Sequence, residues 1–340
     1  MTNYTVHIGD CIESMKKMPD GSVNTCITSP PYFGLRDYGH EGQIGLEPTP
    51  DDFVEAMVAV FREVKRVLRD DGTLWLNLGD SYSGSGKGRM ADGTHHYDPS
   101  SKQASSEGTI QGKFFKTTAP DCKPKDLIGI PWRVAFALQQ DGWYLRQDII
   151  WHKPNPMPES VRDRCTKSHE YIFLLSKSPK YYFDADAIKE PTLEVSKARM
   201  KRGVSNSHKN INGAPGQTAH SMNAPRLYGE VTSVADTRNR RSVWTVSTKP
   251  FKGAHFATFP PDLIEPCVLA GCPEGGTVLD PFGGSGTTAG VALKHGRNAV
   301  LCELNPEYAA LIPDRIESIS MIQKPKKQRK FTPEEQQLLL

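Results

Sequence analysis

Two short stretches hold residues that could carry chemistry. One is Ser29-Pro30-Pro31-Tyr32, which directly follows the strand-like run Val23–Thr28. Proline fixes φ and has no N–H, so two in a row hold the backbone still and offer carbonyl acceptors only. Taken alone, such a pair simply marks a turn. The other is Val278-Leu279-Asp280-Pro281-Phe282-Gly283-Gly284-Ser285-Gly286-Thr287-Thr288, which reads as an apolar strand, a glycine turn and the start of a helix. Such a turn lets a ligand approach the backbone and aims the unpaired N–H groups of the helix start at it. About twenty residues later Glu303 ends the next strand, where a carboxylate can accept hydrogen bonds from ribose hydroxyls. Together these predict a nucleoside cofactor. The GxGxxG spacing of a nicotinamide-binding turn is absent, and Asp280 at the strand end would repel a pyrophosphate but suit a cationic sulfonium. S-adenosylmethionine fits these residues, and Asp280 and Glu303 are both expected to contact it rather than the core.

The elements that must position these stretches alternate between strand and helix. Strands are expected at Tyr4–Ile8, Val23–Thr28 and Thr73–Leu78, with helices at Ile12–Met18 and Phe53–Leu68. In the longer helix Phe53, Met57, Val60, Phe61, Val64, Val67 and Leu68 recur at helical spacing, and Asp70-Asp71-Gly72 is expected to end it. From Ser83 to about Thr118 the pattern lapses into Gly, Ser, Lys and His, as expected of a long loop. A helix over Leu127–Gln140 and strands at Trp143–Trp151 and Tyr171–Ser176 follow. Residues 184–248 are polar, basic and without periodicity, so they read as an insertion. The sheet resumes with Thr277–Asp280, a helix over Thr287–His295 and the strand Asn298–Glu303. This rhythm predicts a mostly parallel, helix-covered α/β sheet.

Composition bounds the class. With 37% hydrophobic and 24% charged residues, and no apolar run near the roughly 18 residues of a membrane span, the chain reads as soluble and globular. Neither a basic leader nor an apolar signal core opens it, so a cytoplasmic location is expected. Seven cysteines without CxxC spacing read as reduced thiols. A net charge of +3 does not itself argue for nucleic acid, but charge is concentrated between Lys189 and Lys249, where Arg238, Arg240 and Arg241 cluster, and in the tail Lys324–Lys330.

Taken in order, the motifs resemble those of the beta-class amino-methyltransferases of DNA, whose signature is Asp, Ser or Asn followed by Pro-Pro and an aromatic residue. Ser29-Pro30-Pro31-Tyr32 stands near the N-terminus and Asp280–Thr287 near the C-terminus, with a recognition region between, as in that class. Three further segments fit: His7-Ile8-Gly9-Asp10-Cys11, His255-Phe256-Ala257-Thr258-Phe259-Pro260 and Asp148-Ile149-Ile150-Trp151-His152-Lys153-Pro154-Asn155-Pro156. The resemblance implies a Rossmann-like methyltransferase fold, circularly permuted, with a seven-stranded, mostly parallel sheet. Residues 1–183 would be its catalytic part, 184–248 an inserted target-recognition region, 249–322 the cofactor-binding part and 323–340 a basic tail. It also implies that S-adenosylmethionine is held by Asp10, His255, Phe256, Thr258, Phe259, Asp280, Pro281, Phe282, Gly284, Ser285, Gly286, Thr287 and Glu303. Duplex DNA would meet Arg238, Arg240, Arg241 and Lys153, and no metal is called for.

The implied reaction is methylation of an exocyclic base amine, with Ser29, Pro30, Pro31 and Tyr32 catalytic. The amine's lone pair is delocalised into the ring, and acceptors for both of its hydrogens (Ser29 Oγ and the Pro30 carbonyl) would localise it. The base would be flipped out of the duplex onto the face of Tyr32. His152 and Lys153 would border the pocket, with a structural role as the alternative for His152. Serine in first place leans towards cytosine N4, and adenine N6 is the close rival. A catalytically inactive DNA-binding protein of the same fold is the alternative from another class. Pro266-Cys267 resembles the nucleophile of cytosine C5 methylation but reads as a core cysteine in an apolar helix. Such enzymes act alone or as homodimers, and a cognate restriction endonuclease is an expected partner.

Overall fold

The computed structural model describes residues 2–35, 39–83, 122–201, 236–248 and 259–321. The expected loop to Thr118, the basic tail and the cofactor residues His255, Phe256 and Thr258 fall outside them. In chain order the elements are β1 (Tyr4–Ile8), α1 (Cys11–Lys16), β2 (Val23–Thr28), α2 (Pro50–Val67), β3 (Leu68–Leu78), α3 (Ile130–Gln140), β4 (Tyr144–His152) and β5 (His169–Ser176). Then come β6 (Glu190–Pro191), α4 (Glu194–Lys201), β7 (Thr237–Arg238), β8 (Val243–Thr245), α5 (Pro261–Gly271), β9 (Thr277–Asp280), α6 (Thr287–Lys294), β10 (Asn298–Glu303), α7 (Pro306–Ala309) and α8 (Ile312–Ser320).

The main sheet runs β1-β10-β9-β2-β3-β5-β4-β8. Pairings from β1 to β3 are parallel, β5 is antiparallel to both its neighbours, and β8 is parallel to β4, so among the described strands of this sheet β5 alone is reversed. Two expectations are corrected here. The sheet has eight described strands rather than seven, because Val243–Thr245 adds to the edge at β4; the insertion therefore stops short of residue 248. Two compact units result, Met1–Asp184 with Ser242–Leu340, and Ala185–Arg241. In addition, Asp70-Asp71-Gly72 does not separate helix from strand. Helix α2 passes directly into β3 at Leu68, and the register with β2 slips between Val23 and Thr25, so this tripeptide is absorbed as an irregularity within the strand.

Helix α2 forms where the sequence signals it. Thr49 caps it by accepting from Asp52 N at 3.1 Å, Pro50 occupies the first turn, and Asp51 and Asp52 suit the positive end of the helix. Its stripe of Phe53, Met57, Val60, Phe61, Val64 and Val67 is fully buried, each side chain contributing about 1.5–3 kcal/mol of apolar burial. The stripe packs with Leu74, Leu76 and Leu78 on one face of β3. Strand alternation sends Trp75 to the other face. There α5 comes as near as glycine allows, since a Cβ on Gly271 would stand 2.6 Å from Trp75 Nε1 and 2.9 Å from Thr25 Oγ1. The connection β2-α2-β3 thus moves outwards along one half of the sheet, and β9-α6-β10 moves outwards along the other. Between β9 and β2 the strand order reverses, and the crevice beyond the carboxyl ends of strands at such a point is where open α/β sheets bind ligands.

Candidate active site

A cleft of about 920 Å³ opens at that point, lined by the segments that follow β1, β2, β9 and β10. It brings together Asp10, Ser29-Pro30-Pro31-Tyr32, Lys153, Phe259, Asp280–Ser285, Thr287 and Glu303. Gly286 stands behind the wall, where its φ of +89° and the approach of Ile312 to within 2.9 Å of a built Cβ leave room only for glycine.

On the cofactor side, Glu303 accepts from Gly284 N at 2.7 Å with Oε2 and from Asn305 N at 2.9 Å with Oε1. Each oxygen keeps a second lone pair for a ligand hydroxyl. The Ser285 hydroxyl is buried and has no hydrogen-bond partner among the described residues. A buried hydroxyl without a partner is costly unless a ligand supplies one. Glycine backbone, a carboxylate with lone pairs to spare and an orphan hydroxyl in one cleft fit an amino-acid-bearing nucleoside such as S-adenosylmethionine. Asp10 also lines the cleft, and its Oδ1 caps α1 by accepting from Glu13 N at 2.9 Å.

Asp280 departs from expectation. Its carboxylate is fully buried, with Oδ1 accepting from Thr28 Oγ1 at 2.6 Å and Phe282 N at 3.1 Å, and Oδ2 accepting from Thr288 Oγ1 at 2.6 Å. This side chain lines the cleft but is also built into the core, where it ties the end of β2 to the glycine turn and to α6. Burial pushes its pKa up, against the lowering effect of its three donors.

Burial also pushes the Glu303 carboxyl above its ordinary range. An ionised Glu303 would accept strongly from the hydroxyls of a bound ribose, and protonation would remove that charge. Cofactor affinity is therefore expected to fall with decreasing pH, and to begin falling above the usual glutamate range. Calorimetric titrations across pH check this, and Glu303→Gln should bind more weakly throughout with a flatter profile. An unaltered profile in Glu303→Gln would remove the ribose assignment.

On the catalytic side, β2 ends at Thr28 and delivers Ser29 to the cleft. Neither the partly buried Ser29 hydroxyl nor the Pro30 carbonyl is hydrogen-bonded to any described residue. Two acceptors are thus unspent beside the glycine turn. The Tyr32 hydroxyl donates to Glu170 Oε2 at 2.7 Å, and Lys153 pairs with the same carboxylate through Oε1. Trp151, within the Asp148–Pro156 segment picked out by sequence, lines the cleft, and so do Glu170 and Asn77, which sequence does not single out. One signal was available, since Glu170 is an acid at the head of an otherwise apolar strand, His169–Ser176. His152 is not part of the lining; its Nδ1 lies 3.1 Å from Thr245 Oγ1, fastening β4 to β8. Cys267 is buried within α5, and the Cys11, Cys272 and Cys302 thiols are pushed up by burial to about 12. These are packing thiols rather than nucleophiles.

In the second unit, Arg238 Nε and Arg241 Nε both donate to Glu190 Oε1, at 2.8 and 2.9 Å, across the β6–β7 ribbon. Lys197 pairs with Asp236 at 2.7 Å. The cluster is therefore partly neutralised from within. Among the described residues no helix is long and apolar enough to cross a membrane, and no group of three or more acids, histidines and cysteines is placed to hold a metal.

The geometry can be set beside known proteins. The DNA methylase family of the N6/N4 type matches residues 23–314. The chain is 47% identical to the Type II methyltransferase M.XycI of Xanthomonas campestris pv. cyanopsidis over 313 residues, covering 92% of this chain and 87% of that protein. With the Type II methyltransferase M.Cfr9I of Citrobacter freundii it shares 46% identity, over 93% and 89% of the two chains. Among solved structures, PvuII DNA methyltransferase (cytosine-N4-specific) superposes with a TM-score of 0.58 at 16% identity, over all of this chain and 91% of that one. The putative DNA modification methylase TTHA0409 of Thermus thermophilus, complexed with S-adenosyl-L-methionine, does so with 0.53 at 23%, over 94% and 97%. Those likenesses establish the fold, and the long alignments to the Type II enzymes establish kinship, so that the cleft belongs to an S-adenosylmethionine-dependent DNA methyltransferase and the chain to the N6/N4 DNA methylase family.

Proposed function

We propose that the chain methylates the exocyclic N4 of cytosine at specific sites in duplex DNA, on a base flipped into the cleft. The observation that carries this is the pair of unspent acceptors, Ser29 Oγ and the Pro30 carbonyl, beside the loop that would hold the cofactor. When bound, S-adenosylmethionine supplies an electrophilic methyl carbon. The chain's own residues make the amine a nucleophile: Ser29 and Pro30 each accept a hydrogen bond from one amine hydrogen, and the lone pair is then left free of the ring. Once the methyl–sulfur bond has broken to leave a neutral thioether, the methylated nitrogen gives up one proton to solvent. Pro31 keeps the carbonyl from drifting, and such preorganised polar groups act without reorganising during the reaction. Positioning provides the remaining acceleration, and no covalent enzyme intermediate is required. Tyr32 presents the face on which the flipped base stacks.

Serine at the first position supports cytosine over adenine by the tendency of this class. Methylating DNA with the purified chain, digesting it to nucleosides and identifying the product by mass spectrometry tests the assignment. N4-methylcytosine is expected. N6-methyladenine would transfer the proposal to adenine, and 5-methylcytosine would overturn the mechanism.

Arg238, Arg240, Arg241 and Lys153 are the proposed DNA contacts, the arginines meeting the backbone. Neutralising the three arginines should weaken DNA binding and reduce the steepness of its salt dependence, by about 0.9 for each phosphate no longer neutralised. Binding measured across a salt series checks this, and an unchanged slope would move the DNA-binding surface elsewhere. The Type II relatives also support a restriction-modification setting, with a cognate endonuclease as partner.

A further inference from the structure

Glu170 has no part in the reaction as described so far. It stands second on β5, opposite Trp151 of β4, with its side chain only 16% exposed. A carboxylate so placed is costly unless its oxygens are taken up, and here they are divided. Oε2 accepts from the Tyr32 hydroxyl at 2.7 Å and more loosely from Asn77 Nδ2 at 3.4 Å. Oε1 takes the Lys153 ammonium, which also lies 4.2 Å from the centre of the Trp151 ring. The Tyr32 ring is pressed against the backbone of Gly79, where an added Cβ would come within 2.4 Å of Cε2. Tyr32 is thus held at its hydroxyl end by a charged acceptor and along its ring by main chain.

A stacking surface assists a reaction only if it stays where the base must arrive, since small misplacements of a reactant are expensive in rate. Side chains that bind or react are kept in place by the groups behind them. We propose that Glu170 is a positioning residue for methyl transfer, fixing the Tyr32 ring through one oxygen and the Lys153 ammonium through the other, so that the flipped base meets a rigid wall beside Ser29. This rests on the reading of Ser29–Tyr32 as the segment that holds the base. Glu170 itself touches no reacting atom and acts through Tyr32.

The test uses the full chain, unmethylated phage DNA and tritiated S-adenosylmethionine, with Tyr32→Phe, Glu170→Gln, Glu170→Ala and the double variant Tyr32→Phe/Glu170→Ala. Tyr32→Phe keeps the ring and removes the tether to Glu170 together with the looser 3.4 Å contact to Asn77 Oδ1, so kcat should fall about tenfold, as for one hydrogen bond to a charged group, with the KM for cofactor unchanged. Glu170→Ala should fall at least as far. Glu170→Gln keeps an oxygen that can accept from the tyrosine hydroxyl and should recover most of that loss. The double variant should be no slower than Glu170→Ala, because the same bond cannot be removed twice. Losses that multiply in the double variant, or equal losses in Glu170→Gln and Glu170→Ala, would overturn the proposal. Cofactor calorimetry on each variant reports folding. Should Glu170→Ala not fold, Tyr32→Phe decides, and full activity there overturns the tether. Ser29→Ala run alongside separates the two readings. A full rate in it defeats the base-holding segment, whereas a slow Ser29→Ala with independent Tyr32 and Glu170 losses defeats the positioning role alone.

Discussion

Replacing Ser29 with alanine is expected to slow methyl transfer about a hundredfold, the usual cost of one preorganised hydrogen-bonding group in an active site. Cofactor and DNA affinity should remain close to those of the wild type. The reason is local: the hydroxyl is bonded to no described residue, so removing it strands no partner and leaves no large cavity. Single-turnover transfer of a tritiated methyl group isolates the step, while calorimetry and a DNA-binding assay follow affinity. A variant that transfers at the wild-type rate would remove Ser29 from the mechanism and defeat the reading of Ser29–Tyr32 as the segment that holds the base.

Asp280 should show the larger effect on the fold. In Asp280→Ala, two threonine hydroxyls and the Phe282 amide lose their acceptor at a largely buried point of the cleft wall. A loss of about 3 kcal/mol is expected, since each buried group left unsatisfied costs about 1–3 kcal/mol. Asp280→Asn should be much milder. Its amide oxygen still accepts from Thr28 and Phe282, and the Thr288 hydroxyl can turn to accept from the new NH₂. Because burial raises the Asp280 pKa, its ionised form costs stability above that pKa, and the cost disappears as pH falls through it. Asp280→Asn should therefore lose this gain in stability on acidification. Chemical denaturation at several pH values measures both effects, and wild-type stability in Asp280→Ala would mean that the three donors find other partners. Cofactor binding by Asp280→Asn then tests, free of unfolding, whether a negative charge at this strand end matters to a sulfonium.

What could be read from sequence was what is contiguous. The strands Tyr4–Ile8, Val23–Thr28, Thr277–Asp280 and Asn298–Glu303 have the limits expected of them, since each is a short run rich in β-branched and apolar residues closed by turn residues. The glycine turn and the tetrapeptide are likewise single segments whose types constrain the backbone directly. Asp280 was legible as a site residue, but its orientation was not, because Thr28 lies 252 residues away and nothing local reveals which hydroxyls will meet it. Glu170 escaped for the same reason: its partner Tyr32 is 138 residues distant. Asp70-Asp71-Gly72 misled because its composition is that of a loop, while pairing with β2 absorbs it into a strand. Val243–Thr245 is too short to show a period, and only an open sheet edge makes it a strand.

The position of β9 between β10 and β2 governs how this chain can be made. Strand β2 ends at residue 28, whereas the neighbour that covers its outer edge begins at residue 277. A ribosome adding about 5–20 residues per second needs roughly 12–50 s to span that interval. Throughout it the nascent chain carries a hydrophobic strand with one row of amides and carbonyls unpaired, the kind of edge that recruits other strands. The cleft also has no cofactor wall until residues 280–303 have emerged. A partly synthesised chain therefore holds Ser29 and Pro30 with no glycine turn beside them, and the burden of keeping it from aggregating falls on whatever shelters β2 in the meantime.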